Sequence, residues 1–434
     1  VGSHPSPARG GVASRRSRKT AAAAVLAVGI VAAGVMIRGE LRVMNSADAA
    51  RRATADARFS EAEAALERWI AARPRAAEPH FLLARVAVAL GRPQEAIARL
   101  HRARALGHPA GPVDRLDAIL RARAGRHAEA EPVLRQVLAG SDAPDPEAAE
   151  ALARVYLETF DLRAAAEVLE RWIRDAPRDA TPYLWRTEIA SRLDGDQLAR
   201  VRDFSAALER DPTLDRARLG LADALRLAGR PDEAEEDYEA YIARRPDDPA
   251  GHRGAGLNAL DRGDQAEAIR RLDRASALDP ADASTLSARA GVSLRLGDFA
   301  GALAMLDRAV LANPHDVEIR HRRGLCLDRL GHPGEARAEH DAAARLRDDE
   351  RRLSELRRSL VRDPKNREIQ GQIARWMIEH DHEEEGIRWA RNVLRDRPDH
   401  ASTHRVLAAY YDRSGQPGLA NFHRLQAGLQ SPPP

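Results

Sequence analysis

The densest group of side chains able to bind a metal or move a proton lies near the C-terminus, at His380-Asp381-His382-Glu383-Glu384-Glu385. His400 and His404 follow, four residues apart, a spacing that puts two imidazoles on one helix face. If the two segments fall on neighbouring stacked elements, four histidines approach one another. The alternative is a polar turn and a solvated helix start, and that is the reading adopted here, so no metal ligands are assigned. Cys326 is the single cysteine and falls inside a helical stretch, where it reads as a small buried residue and not a nucleophile. One cysteine excludes an intrachain disulfide framework and any CxxC zinc or haem site. No Walker loop, GxSxG or HExxH is present. Neither catalytic residues nor a cofactor is expected, and the chain does not read as an enzyme.

The elements that carry these residues repeat. Arg262 to Pro280 has a turn glycine at Gly263, small residues at Ala268 and Ala275, a large one at Leu272 and a stop at Pro280. The same set returns 34 residues later as Gly297, Ala302, Leu306, Ala309 and Pro314. It stands 34 residues earlier as Gly229, Ala234, Tyr238, Tyr241 and Pro246. A fixed period of this length is the mark of a helix-turn-helix solenoid. Small residues let the two helices of a unit approach, the large one fills the remaining space, and proline cannot continue the second helix.

This pattern resembles the tetratricopeptide repeat (TPR) family. Ala290, Gly297, Ala302, Leu306, Ala309 and Pro314 fill the family's six signature slots in one unit, unit positions 8, 15, 20, 24, 27 and 32. Position 8 is also Ala50, Ala84, Ala118, Ala153 and Ala222, and position 20 is also Ala62, Ala96, Ala130, Ala165 and Ala234. The fifth unit departs, with Glu188 and Arg200 in those two slots, so its helices should pack less closely or in a shifted register. An extra helical stretch near 348–362 breaks the register after the ninth unit and lengthens that unit's second helix. The resemblance implies an all-α, right-handed superhelical solenoid of about eleven units over 43–434. It also implies a concave groove, lined by the first helix of each unit, that holds a peptide or partner segment. Position 9 faces that groove in the family and here carries Arg51, Arg85, Arg154 and Arg375, the candidate partner-binding residues. The Lys and Asn pair of the family's carboxylate-clamp subset occurs in no unit. The paired cysteines of its membrane-anchored lipopolysaccharide assembly member are missing too. Trp69 and Trp172, in near-identical contexts, read as packing residues between units.

Outside the repeats, 1–19 is rich in Gly, Ser, Pro and Arg and is expected to be disordered. Arg15, Arg16, Arg18 and Lys19 then abut an uncharged run at 20–37, just long enough to span a bilayer. We read it as a single-pass anchor with the N-terminus cytoplasmic and the solenoid outside. The alternative is a cleaved signal peptide with Ala47-Asp48-Ala49 at its cleavage site. The net charge of +3 is a small difference between 69 basic and 66 acidic residues. These charges are interspersed as on solvated helix faces, so the basic balance implies no nucleic-acid partner. The functional expectation is a membrane-tethered scaffold that recruits proteins or assembles an envelope complex. Its rivals are a substrate-presenting accessory of an enzyme and a secreted periplasmic carrier or metal sensor.

Overall fold

The computed structural model describes residues 43–140, 143–192 and 196–428. The N-terminal stretch at 1–19 and the apolar run at 20–37 lie outside them. All regular secondary structure among the described residues is helical, in twenty-two helices that pair as consecutive hairpins. They fall into two compact units, with the boundary between Val137 and Leu138.

The first unit holds α1 (43–55) with α2 (Phe59–Ala72), α3 (Ala77–Ala89) with α4 (Pro93–Ala105), and α5 (Ala110–Arg123) with α6 (His127–Ala139). Its core is small-residue packing filled by a few large side chains. Ala50, Ala62 and Leu66 are fully buried, with Trp69 and Leu83 beside them. Ala84, Ala96, Leu100 and Val113 repeat the arrangement one hairpin later.

The second unit continues with α7 (Pro146–Glu158) and α8 (Leu162–Asp175), α9 (Thr181–Arg192) and α10 (Gln197–Arg210), α11 (Asp215–Leu227) and α12 (Pro231–Arg244). Next come α13 (Pro249–Asp261) and α14 (Gln265–Leu278), α15 (Ala283–Arg295) and α16 (Phe299–Ala312), α17 (Val317–Arg329) and α18 (Pro333–Arg362). It ends with α19 (Arg367–Glu379) and α20 (Glu383–Asp396), then α21 (Ala401–Arg413) and α22 (Pro417–Gln426). Local chemistry sets the helix starts. The side chains of Asp161, Asp264 and Asp298 accept hydrogen bonds from backbone amides of the first turns of α8, α14 and α16 at 2.9–3.1 Å. Each such cap contributes on the order of 1 kcal/mol.

The two helices of a hairpin touch nearly backbone to backbone. Ala234, Ala268, Ala302 and Ala336 are fully buried at the contact. A methyl group added at Gly256 would stand 2.8 Å from Leu272 Cγ, so even alanine is too large there. The turn inside a hairpin places unit position 15 in the left-handed region. Gly263 adopts it at φ 83°, and Ala57, Phe160 and Asp381 hold the same slot at φ 56°, 62° and 64°.

The fifth hairpin, α9 with α10, lacks the alanine contact. Arg186 instead makes a two-pronged ion pair with the buried Asp203, at 2.5–3.0 Å, and reaches Glu170 at 2.6 Å. A cavity of about 400 Å³ opens where Glu188 and Arg200 stand. The second departure is α18, which runs for 30 residues and carries straight through 348–362. Within this unit the chain also comes back to itself. Phe160, in the turn between α7 and α8, packs its ring 5.8 Å from that of Trp389 in α20.

No helix among the described residues is long and apolar enough to cross a membrane.

Candidate functional site

The four position-9 arginines are all on first helices of hairpins, in α1, α3, α7 and α19, but their surroundings differ. Arg51 pairs with Glu78 through two bonds of 2.8 Å, touches Asp48 at 3.2 Å, and lies 5.1 Å over the Trp69 ring. The hydrogen bond from Arg51 holds the Glu78 carboxyl below its usual range, against the opposing effect of burial. Arg154 is tied to Glu150 at 3.1 Å and lies 5.0 Å over Trp185. Arg375 pairs with Glu379 at 2.8 Å along its own helix. Arg85 is exposed and, among the described residues, has neither a hydrogen bond nor an ion pair. Arg51 and Arg85 belong to the first compact unit, and Arg154 and Arg375 to the second.

The histidines weighed as metal ligands separate into distinct networks. His380 shares a 2.7 Å hydrogen bond through Nδ1 with the Trp376 carbonyl and stacks on the Trp376 ring at 4.1 Å. His400 meets Thr403 at 2.8 Å and Glu368 at 3.0 Å. His404 shares a 2.8 Å hydrogen bond with His423, and its other nitrogen reaches the Pro398 carbonyl at 2.8 Å. Burial, then the neighbouring His404, pushes the His423 imidazole below its ordinary pKa, which favours its neutral form. These contacts do not gather the four histidines into a ligand set. Among the described residues no group of three or more His, Cys, Asp or Glu is arranged to hold a metal ion. Cys326 is fully buried, and burial pushes its thiol up to about 11, with Asp307 and Asp298 adding to the effect. A thiol held protonated in an apolar cluster is not a nucleophile at neutral pH. Trp172 is buried and donates from Nε1 to Asp179 at 3.0 Å, a packing role.

One hollow is a feature that local sequence reasoning missed. About 700 Å³ lies beside α18, lined by His315 and Asp316 before α17, Glu350 of α18, and Trp376, His380 and Asp381 at the end of α19. His315 bonds Asp381 at 2.8 Å across 66 residues of sequence. Burial, followed by the Asp316 charge, pushes the Glu350 carboxyl upward. The Trp376 Nε1 hydrogen is buried with no partner among the described residues. The one sequence signal was Asp381 standing in a slot that holds glycine in most other hairpins.

The sequence pattern described as "Tetratricopeptide repeat" matches residues 53–113, 121–185, 201–255 and 259–320, and a second pattern of the same description matches 292–351. Among solved structures, "MamA MSR-1 C2" is 30% identical over 39% of this chain and 97% of its own, with a TM-score of 0.33. A tetratricopeptide repeat protein from Parabacteroides merdae is 19% identical over 58% of this chain and 98% of its own, with a TM-score of 0.41. PilW, titled a widely conserved type IV pilus biogenesis factor, is 20% identical over 45% of this chain and 90% of its own, with a TM-score of 0.40. No curated protein matches the chain. With the repeat pattern matched over more than half its length, and with the paired helices that the pattern requires, the chain belongs to the tetratricopeptide repeat family, whose repeats form scaffolds for protein–protein interaction.

Proposed function

We propose that this chain is a membrane-tethered scaffold that holds protein partners and supports assembly of an envelope complex. The observation that carries the reading is the run of hairpins itself. Every described segment longer than a turn is a hairpin helix or the extension of α18, an architecture that offers long surfaces to other chains. In this reading the hairpins wind as a right-handed superhelix, and the uncharged run at 20–37 anchors it with the solenoid outside the cytoplasm.

Arg85 is the first contact to test. Its guanidinium is exposed and free of in-chain partners among the described residues, so a carboxylate of a bound segment can pair with it in two-pronged fashion without displacing anything. Arg51, Arg154 and Arg375 already have carboxylates and would have to exchange them. The experiment is affinity purification of the full chain from detergent-solubilised membranes, with mass spectrometry of what co-purifies. The Arg85→Ala, Arg154→Ala double variant is compared with an Arg99→Ala, Arg135→Ala control on α4 and α6. Loss of a partner in the first variant alone supports the reading. Equal loss in both, or none in either, refutes the assignment of these arginines. Tethering is tested separately: recovery of the expressed protein in the soluble fraction with its N-terminus at Ala50 would exclude an uncleaved anchor.

A further inference from the structure

We infer that the fifth hairpin holds a carboxylate-binding pocket centred on Arg200. The argument begins with packing. Unit position 20 is alanine in nine other hairpins, at Ala62, Ala96, Ala130, Ala165, Ala234, Ala268, Ala302, Ala336 and Ala420, and every one of them is fully buried. Position 20 of the fifth hairpin is Arg200, and its facing position 8 is Glu188. Two large charged residues cannot occupy a contact made for methyl groups. The structure resolves this by opening the cavity of about 400 Å³ between α9, α10, α11 and α12, with both residues in its lining.

The charges in this cavity are not balanced group by group. Its carboxylates are all engaged. Glu188 takes Arg192 at 3.1 Å, and Asp215 takes Arg245 at 2.7 Å. Asp223 accepts from the Tyr238 hydroxyl at 2.6 Å, and Asp248 from the Tyr241 hydroxyl at 2.5 Å. Of the three lining arginines, Arg245 has Asp215, and Arg216 extends into solvent with Glu188 at 4.0 Å. Arg200 has no carboxylate among the described residues. It donates to the neutral Gln197 side chain at 3.0 Å, its guanidinium carbon lies 5.7 Å from the Phe204 ring centre, and its Nε is buried without a partner. A half-buried guanidinium that lines the cavity without a carboxylate, beside an apolar wall of Phe204, Leu184 and Leu219, fits a carboxylate next to an apolar group. An acidic or C-terminal segment of a polypeptide carries that pair. Its source as a polypeptide rests on the scaffold reading above, whereas the pocket chemistry does not.

The test uses the full chain and small probes. N-acetyl-leucine supplies a carboxylate with an apolar side chain, N-acetyl-leucinamide keeps the shape without the charge, and acetate keeps the charge without the side chain. Binding is followed by saturation-transfer NMR. Arg200→Ala installs the residue that nine other hairpins carry, so the variant is expected to fold. Gln197→Ala, which removes the one in-chain acceptor of Arg200, serves as the second variant. The expected result is binding of the acid at least about tenfold tighter than the amide, lost in Arg200→Ala and kept or strengthened in Gln197→Ala. Acid and amide binding alike, no acid binding, or acid binding that survives Arg200→Ala overturns the proposal. Equal binding of acetate would remove the apolar subsite and assign the pocket to small carboxylates, which overturns the polypeptide source. Failure of the probes leaves partner co-purification intact, and failure of co-purification leaves probe binding intact, so the two readings fall separately.

Discussion

Two glycines seven residues apart in one hairpin are required for different physical reasons, and replacing each with alanine separates them. Gly263 sits at φ 83° in the turn between α13 and α14, and a Cβ there would meet nothing within 4 Å. Its cost is therefore purely conformational. Left-handed backbone costs an L-residue about 1–2 kcal/mol. The less flexible unfolded chain returns about 0.4–1 kcal/mol, which leaves Gly263→Ala destabilised by about 1 kcal/mol. Gly256 lies inside α13 with ordinary helical geometry, so alanine there gains about 0.8–1 kcal/mol in helix propensity. The added carbon, however, would stand 2.8 Å from Leu272 Cγ and 3.3 Å from Arg271 Cβ, and Leu272 is fully buried and has no open space to enter. Overpacking of this kind costs about 1–3 kcal/mol, so Gly256→Ala should also lose stability, by about 1 kcal/mol net. The two losses respond oppositely to a second change. In a Leu272→Ala background the steric loss at Gly256 should vanish and the propensity gain emerge, while the loss at Gly263 should persist. Because a repeat array need not unfold in one step, the assay is native-state hydrogen exchange at amides of α13 and α14. Equal penalties for Gly256→Ala with and without Leu272 would refute the close-packing account of the hairpin.

Two further outcomes follow from the described geometry. Cys326 should resist iodoacetamide in the native chain at pH 8 and react at once in denaturant, because its thiol is fully buried and raised to about 11. Fast native alkylation would show that the cluster around it opens. Glu78 is held below its usual pKa by Arg51, so its contribution to the first unit is complete above the unfolded carboxyl value and is lost as pH falls through the lower folded value. Carboxyl titration by NMR should therefore show Glu78 titrating below a glutamate in a short peptide, with Arg51→Ala returning it to the usual range.

The hairpins were legible because their signal is local. Ala268 and Ala302 can be placed at a helix contact from sequence alone, since only a small residue fits that slot and the slot recurs at a constant interval. Gly263 and Pro280 mark the turn and the stop for equally local reasons. The contacts that set the surroundings of a site were not legible. His315 meets Asp381 of the next hairpin across the lengthened α18, and Phe160 meets Trp389 only after six hairpins have each added a small rotation; no residue records either contact. Arg51, Arg85 and Arg154 look equivalent at position 9. Whether each is free depends on which carboxylate the neighbouring helix brings near: Glu78 reaches Arg51, and none reaches Arg85 among the described residues. Glu188 and Arg200 were visible as departures, but that they would open a cavity, and that Arg186 would turn to Asp203, depended on packing in three dimensions.

The non-glycine residues at the hairpin turns offer a test of why the repeat is broken where it is. Ala57 and Phe160 both hold the left-handed slot, at φ 56° and 62°, and each carries a backbone penalty that glycine would relieve. Ala57 is exposed, so Ala57→Gly has little packing to lose and should stabilise the first unit by up to about 1 kcal/mol. Phe160 is buried and its ring contacts Trp389 in the tenth hairpin. Truncating a buried phenylalanine costs about 3–5 kcal/mol, which outweighs the conformational relief of about 1 kcal/mol, so Phe160→Gly should be destabilising. The loss should also be felt at a distance, as faster hydrogen exchange in α20 as well as in α7 and α8, and Trp389→Ala should reproduce it without touching the turn. If Phe160→Gly instead stabilises the chain as Ala57→Gly does, the ring contact contributes nothing, and the phenylalanine in that slot has no packing reason to be there.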